Sequence, residues 1–323
     1  MREIRIGKND AGQRADHFLM KALPSLPASL RQKYLRIKRI KRNGGRCRPE
    51  DRLLEGDLLS LYIGEEFFAR PGGDEAWRTI KPELRVVYED ANILVADKRA
   101  GMLVHSDESG DGNTLINQIK AYLFAKGEWN PEEENSFAPA LANRIDRNTC
   151  GLVLAAKNAE SLRILNDKIR NRELRKYYYC IIHGVMSPKS GQLYGYLERD
   201  VENKTVFVRQ KKTADTRSAA TLYRTLEIRG SLSLLECELL TGRTHQIRAQ
   251  FAAAGHPLLG DGKYGTNAQN RGYHRRYQAL QSHRVLFSFA TDAGLLMYLN
   301  GKSIEAEDAD FVRDFRKGML GNL

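Results

Sequence analysis

Cysteine is scarce and scattered. The four residues, Cys47, Cys150, Cys180 and Cys237, form no C-x-x-C pair. That spacing excludes a disulfide framework and a zinc ribbon, and fits reduced thiols in a cytoplasmic protein. Long apolar runs are missing too, and the start M-R-E-I-R-I-G-K-N-D has no apolar signal core, so neither a membrane span nor a secretory leader is expected. There is no G-x-x-x-x-G-K phosphate cradle, no dinucleotide fingerprint and no His/Cys cluster at ligand spacing. No cofactor and no metal are therefore expected. Internal repeats and low-complexity tracts are likewise lacking.

Acidic residues are in the minority. Lysine plus arginine number 52 against 40 aspartates and glutamates, a formal charge of +12, with a sequence pI near 9.5. Such an excess points to a polyanionic partner. Nucleic acid comes before membrane, because no strongly amphipathic basic helix stands alone at either end. A chain of 323 residues is long enough for one large domain and a small one. Nothing in it implies an obligate protein partner, and a monomer is expected.

Residues 1–64 read as a small α+β unit. Ser29 and Gln32 form a possible capping box for a helix starting at Leu30, with Leu30, Tyr34 and Ile37 as its apolar stripe. Arg31, Lys33, Arg36, Lys38, Arg39, Lys41 and Arg42 surround that stripe. A charge run is usually a solvated helix face; this density beside a hairpin suits a phosphate-tracking surface. Asn43-Gly44 predicts a tight hairpin, since both residues tolerate positive φ. Leu53 to Ile63 supplies closing strands. Glu65 to Pro82, with Pro71, Gly72 and Gly73, reads as a linker, and residues 83–323 form the larger domain.

In that larger domain, short strands are expected at Leu84 to Glu89 and Ile93 to Ala96, then a helix at Thr114 to Leu123. The acidic W-N-P-E-E-E-N segment at 129–135 reads as an exposed loop facing away from a polyanionic partner. Leu152 to Ala156 is a buried strand and Glu160 to Arg170 an amphipathic helix. Strands follow at Tyr177–Ile182, Thr205–Arg209, Ala219–Leu226 and Ser233–Leu240. A helix begins after His245, with Ile247, Phe251 and Ala254 on its packing side and Gly255 as its stop. Ala306 to Asp314 reads as an acidic, surface-packed tail. Many strands and few helices give an α+β domain built on a mixed, mostly antiparallel sheet.

The segment with most chemical content is Asn143 to Lys157, N-R-I-D-R-N-T-C-G-L-V-L-A-A-K. Arg144 and Arg147 flank Asp146, and neighbouring cations favour the charged form of a carboxylate. That suits a nucleophile or electrostatic partner better than a general acid. On spacing alone the bland alternative leads, because an aspartate before a turn usually bonds its own backbone.

Further motifs change the weighing. A-N-R-I-D-R-N-T-C-G-L-V-L-A-A-K resembles the catalytic motif of the RluA family of RNA pseudouridine synthases. R-K-Y-Y-Y-C-I-I-H-G resembles that family's K-x-Y strand, and L-L-T-G-R-T-H-Q-I-R followed by G-H-P-L-L-G-D-x-x-Y-G its third motif. V-V-Y-E-D-A-N-I-L-V-A-D-K-R-A-G-M-L-V-H is similar to the opening of its catalytic domain. The basic amino-terminal unit, with G-Q-R-A-D-H-F-L, R-N-G-G-R and L-L-E-G-D, resembles the small RNA-binding domain named after ribosomal protein S-four. Such a domain supports an RNA partner without naming a reaction.

The resemblance implies a pseudouridine synthase fold and an isomerisation without cofactor. The uracil glycosidic bond is cleaved, the base turns, and it rejoins ribose through a ring carbon. One carboxylate suffices where a glycosidase needs two, because water is not a reactant. Asp146 falls on the catalytic aspartate and Arg248 on the arginine that pairs with it. Tyr178, six residues before Gly184, falls on the tyrosine that stacks on the flipped base and assists proton transfer. Arg144 matches the arginine beside the aspartate and is expected to fill the vacated space or hold phosphate. Arg147, Arg243, Lys33, Arg36, Lys38, Arg39 and Arg42 are expected RNA contacts, while His245 shapes its loop without direct chemistry.

Three positions depart from the family pattern: Asn143 stands in place of His, Cys150 in place of Ser and Arg99 in place of Pro. The implied substrate is structured RNA, large-subunit ribosomal RNA first, though the same features fit transfer RNA. Two other classes compete. A non-catalytic RNA-binding or ribosome-assembly factor predicts a lost active-site residue, and a nucleoside hydrolase requires a second carboxylate.

Overall fold

The computed structural model describes residues 1–69, 75–106 and 112–320; Pro71, Gly72 and Gly73 of the expected linker lie outside them. Two sheets organise the described residues. The first contains β1 (Arg2–Arg5), β2 (Ile40–Arg42), β3 (Gly45–Arg46) and β4 (Leu58–Leu61), in the order β1-β4-β2-β3. Helices α1 (Ala15–Ala22) and α2 (Ala28–Arg36) accompany it. The hairpin falls where Asn43-Gly44 predicts it, with φ of 49° and 75° at the two positions.

Two local expectations need correction. Helix α2 starts at Ala28 behind Pro27, without a side-chain cap, so Ser29 and Gln32 make no capping box; proline's fixed φ sets the entry instead. Leu35 is the buried residue of α2, with Leu30 and Tyr34 partly buried and Ile37 47% exposed.

The second sheet runs β11-β10-β12-β13-β9-β14-β8-β6-β5, with β15 beside β14 and β7 beside β8. Its strands are β5 (Val86–Glu89), β6 (Ile93–Lys98), β7 (Ala140–Leu141), β8 (Cys150–Ala156), β9 (Leu174–His183), β10 (Ser190–Asp200), β11 (Thr205–Arg209), β12 (Thr216–Arg229), β13 (Leu232–Leu239), β14 (Leu280–Phe287) and β15 (Ser303–Glu305). Among the described residues every pairing in it is antiparallel except β8 with β14. The helices are α3 (Leu115–Ala125), α4 (Ala159–Arg170), α5 (Gln246–Ala253), the short α6 (Asn267–Asn270) and α7 (Asp310–Lys317).

Successive strand residues point to opposite faces, and here both faces are covered. Leu94 and Ala96 of β6 and Val153 and Ala155 of β8 pack with Leu115, Ile119 and Leu123 of α3 and with Ile247 and Phe251 of α5. Ile93, Val95, Leu152 and Leu154 pack with Leu165 of α4. Burial on both faces explains why β6 and β8 read as continuous apolar runs. No helix among the described residues is long and apolar enough to cross a membrane.

The sheets are stapled together at residues 134–136, so the loop expected at 129–135 is exposed at Glu132 and Glu133 but held at both ends. Buried Asp10 accepts hydrogen bonds from Ser136 Oγ at 2.6 Å and Asn135 Nδ2 at 2.7 Å. Asn9 Nδ2 donates to Glu134 Oε1 at 2.6 Å and Gln13 Nε2 to Ser136 Oγ at 2.9 Å. From α4, Arg163 Nη1 donates to the Ala11 carbonyl at 2.8 Å. Trp129 is buried edge-on to Trp77, so the end of the expected linker is part of the larger core. The tail also packs inward: Phe311, Val312 and Phe315 of α7 are buried.

Candidate active site

The loop between β7 and β8 carries Asp146, and its shape is fixed from behind. The Thr149 amide closes a turn onto the Asp146 carbonyl at 3.1 Å. Lys98, 1% exposed at the end of β6, donates to the carbonyls of Arg99, Met102 and Arg147 at 3.0, 2.8 and 2.9 Å. Burial, opposed by the charges of Cys150, Asp146 and Asp97, pushes the Lys98 pKa down to about 8. Arg147 and Gly101 bond each other reciprocally, Nε to carbonyl at 3.0 Å and amide to carbonyl at 2.9 Å.

Gly151 explains how the loop enters the sheet. Its φ is +106°, and a Cβ there would lie 2.1 Å from the Ser282 carbonyl oxygen. The close parallel contact of β8 with β14 therefore requires glycine.

Helix α5 delivers Arg248. Gln246 and Gln250, one turn apart and buried, fasten it to β12: Gln246 Nε2 donates to the Ala220 carbonyl at 3.0 Å, and Gln250 Oε1 accepts from Thr221 Oγ1 at 2.7 Å. Ile247 and Phe251 are the packing side as expected, but Ala254 is exposed; it is the C-cap that follows Ala253, and Gly255 after it, with φ +84°, ends the helix.

Arg248 meets two carboxylates. Nε and Nη2 donate to Asp261 at 2.7 and 2.9 Å, while Nη1 donates to Asp146 Oδ2 at 3.0 Å. Asp261 is fully buried and also accepts from the amides of Lys263 and Tyr264. Burial opposes the charge on both partners. The bidentate pair overcomes it, so Arg248 is shifted upward and Asp261 downward. His245 Nε2 lies 3.8 Å from Asp146 Oδ2, and its Nδ1 shares a hydrogen with the Tyr264 hydroxyl across 2.8 Å. Burial pushes the His245 pKa down, and its φ of 53° makes it the turn into α5.

Tyr177, Tyr178 and Tyr179 of β9 are separated by strand parity. Tyr177 lies under the Arg284 guanidinium at 3.7 Å, and Tyr179 stacks on His283 at 3.6 Å. Tyr178 alone faces the cavity that holds Asp146 and Arg248. Burial, with the Asp146 charge adding to it, pushes its pKa up to about 12. Lys176, two residues earlier and so on the same face, also lines the cavity, and burial pushes its pKa down. The cavity measures about 520 Å³, a size that suits one nucleoside with its flanking phosphate.

The expected flanking of Asp146 by Arg144 and Arg147 is corrected. Arg147 turns back to Gly101, Arg144 is exposed where it lines the cavity, and the cation that meets the carboxylate is Arg248. Arg243 is exposed at the same cavity and donates to the Ser218 carbonyl at 3.2 Å. In the amino-terminal unit, Lys33 and Arg36 line a groove of about 460 Å³ with Arg46 and Arg48. Lys38 and Arg39 are exposed. Arg42 is committed internally, 2.6 Å from Asp57.

Two departures have local uses. Asn143 Oδ1 accepts the Leu154 amide at 2.8 Å, pinning the loop to β8. The Cys150 thiol donates to the Leu280 carbonyl at 3.6 Å, and burial pushes its pKa up to about 11. Sequence reasoning missed Asp261, Lys98 and Lys176, although each stands inside a quoted motif. Among the described residues no group of His, Cys, Asp and Glu is arranged to hold a metal.

A family model described as RNA pseudouridylate synthase matches residues 92–253. An RNA pseudouridine synthase of Mycoplasma pneumoniae is 30% identical, covering 86% of this chain and 85% of its own. Ribosomal large subunit pseudouridine synthase C of Vibrio cholerae is 30% identical over 81% of this chain and 80% of its own. Human RNA pseudouridylate synthase domain containing 4 superposes with a TM-score of 0.57 at 17% identity, covering 73% of this chain and 92% of its own; that likeness concerns the fold. The chain belongs to the RNA pseudouridylate synthase family, which makes it an isomerase acting on RNA.

Proposed function

We propose that this enzyme converts uridines of large-subunit ribosomal RNA to pseudouridine, with Asp146 as the reacting carboxylate. The observation that carries the role is the 3.0 Å hydrogen bond that aims Arg248 at Asp146, within a cavity also lined by Tyr178. The ribosomal substrate is supported by relatives named for the ribosomal large subunit in Vibrio cholerae and Nitrosomonas europaea.

The reaction breaks the bond from ribose C1′ to uracil N1 and forms one from C1′ to C5. The C5 hydrogen leaves as a proton and N1 gains one. Asp146 acts by attack on sugar or base, or by taking a ribose proton. Arg248 pairs with it and keeps it oriented throughout. Tyr178, neutral at working pH, stacks on the extruded base and relays a proton. Lys176 and Arg243 hold phosphate at the cavity. Extrusion of the uridine costs a few kcal/mol, about what stacking and backbone contacts supply.

Residues 1–64 serve as an S-four-like RNA-binding appendage to the catalytic domain at 83–323. Its phosphate contacts are Lys33, Arg36, Lys38 and Arg39, with Arg46 and Arg48 across the groove. Replacing Lys33, Arg36, Lys38 and Arg39 by alanine should flatten the salt dependence of RNA binding; an unchanged slope contradicts the assignment.

The substrate is tested by mapping pseudouridines in total RNA from wild-type, deletion and Asp146→Ala strains. Ribosomal sites should vanish in both mutant strains. A site lost only on deletion sinks the role of Asp146, and loss confined to transfer RNA sinks the ribosomal substrate.

A further inference from the structure

The segment from Asn270 to Gln278 belongs to none of the motifs that build the site, yet it carries Arg271, His274, Arg275 and Arg276 interleaved with Tyr273 and Tyr277. Its ends are tied to the catalytic machinery. Asn270 Oδ1 accepts the Gly260 amide at 2.8 Å, next to Asp261, and lies 3.1 Å from His183 Nε2. At the other end Gln278 Nε2 donates to Thr149 Oγ1 at 3.2 Å, in the loop that carries Asp146. Tyr277 leans on Gly101, its hydroxyl 2.8 Å from where a Cβ would stand, and Gly101 is the residue that clasps Arg147.

Beneath this segment lies a second cavity, of about 290 Å³, lined by Asn148 and Cys150. The catalytic loop is thus a shared wall, with Asp146 and Thr149 lining the first cavity and Asn148 and Cys150 the second. Arg275 lines it from the other side, its guanidinium over the Phe311 ring at 5.3 Å. Its Nε is buried without a hydrogen-bond partner. Asp314 is the carboxylate at the same cavity, and among the described residues no ion pair joins it to Arg275. Arg271 and Arg276 are exposed, and among the described residues neither enters an ion pair.

A buried guanidinium N–H left unbonded costs free energy that a bound acceptor would recover. A phosphodiester is the natural acceptor, since a guanidinium fork matches its oxygens. Tyr273 is half-buried edge-on to His183, and the Arg276 guanidinium lies over the Tyr277 ring at 5.2 Å, so the cations are what the segment presents to a strand. We infer that residues 271–277 form a second RNA-contacting surface, which grips phosphates of the strand adjoining the nucleotide at Asp146, across the catalytic loop from the reacting base. This rests on the RNA-modifying reading of the site above.

The test uses the full-length protein and a short oligouridylate, with binding followed by fluorescence anisotropy at several salt concentrations. The variants are Arg271→Ala with Arg276→Ala, which alter exposed positions, and Arg275→Gln separately. The double variant should keep the wild-type melting midpoint, bind about tenfold more weakly at low salt, and show a salt slope shallower by roughly 1 to 2. Arg275→Gln should lower the slope by roughly 0.7. Wild-type slope and affinity in both overturn the inference. Asp146→Ala, run alongside, separates the two readings. If it keeps the binding slope and forms no pseudouridine, the reading of the site holds even where the loop variants bind normally. If it still forms pseudouridine, the reading of the site falls, and with it the placement of this loop beside the reacting base.

Discussion

Asp261 grips two nitrogens of the Arg248 guanidinium at 2.7 and 2.9 Å and leaves a third to point at Asp146, 3.0 Å away. A long cationic side chain is thereby fixed in one rotamer before substrate arrives. Asp261→Asn removes the charge and keeps the shape. The expected result is a rate loss of about a hundredfold from misplacement of the catalytic pair, with RNA affinity near wild type. Stability should fall by about 3 kcal/mol, because a buried guanidinium loses a counter-charge. Single-turnover kinetics and urea unfolding read the two effects separately. An unchanged rate would show that Arg248 needs no such brace.

Lys98 makes rate and stability respond to pH in opposite directions. Its pKa is about 8 in the folded protein against an ordinary 10.5. Between those values the unfolded chain binds a proton that the folded chain has released, so stability rises with pH through that window. The rate should fall over the same range, because a neutral amine has two N–H groups for three carbonyls and its hold on Arg147 weakens. A pH–rate profile should show a descending limb near pH 8 that is absent from a slower, flat Lys98→Met variant. A limb of the same midpoint in that variant would assign it to another group.

Gly151→Ala tests the geometry of the β8–β14 contact. The new methyl would meet the Ser282 carbonyl at 2.1 Å in a backbone held at φ +106°, and neither strand can move without breaking the sheet. A loss of about 3 kcal/mol is expected, seen as a lower urea midpoint at constant slope. A midpoint within error of wild type would mean that β8 relaxes locally.

Tyr178 separates stacking from proton transfer. With its pKa pushed up to about 12, the hydroxyl stays protonated across the working range. Tyr178→Phe should bind RNA normally and lose about a hundredfold in rate, the lower end of what a positioned proton donor contributes. Tyr178→Ala should weaken binding as well. Full activity in the phenylalanine variant would leave the ring with stacking alone.

Legibility in the sequence followed the physical source of each signal. Strands buried on both faces, β6 and β8, were plain as apolar runs. Helices α3 and α4 were plain from spacing, and their caps Thr114 and Asn158 accept the amides of Asn117 and Ser161. Strand β14 was invisible, because Gln281, Ser282 and His283 are buried polar residues in its middle and break the hydropathy pattern. Asp146, Tyr178 and Arg248 were singled out by resemblance, and the structure places all three at one cavity. Spacing alone put Arg144 and Arg147 beside Asp146, but adjacent side chains in an extended loop diverge; Arg248, which only the resemblance named as its partner, converges on the carboxylate from 102 residues away. Asp261 was missed for the same reason: nothing local in sequence says which aspartate a buried arginine will meet.

If the Asp146 carboxylate drives the isomerisation, removing it must keep the C5 hydrogen in place. The most direct measurement uses ribosomal RNA from the deletion strain, labelled with tritium at uracil C5, and follows tritium release by purified Asp146→Asn against wild type. That hydrogen must leave when C5 joins C1′. Rapid release is expected from wild type, none from Asp146→Asn, and equal RNA binding from both. Release by Asp146→Asn at a rate near wild type would contradict that role of the carboxylate.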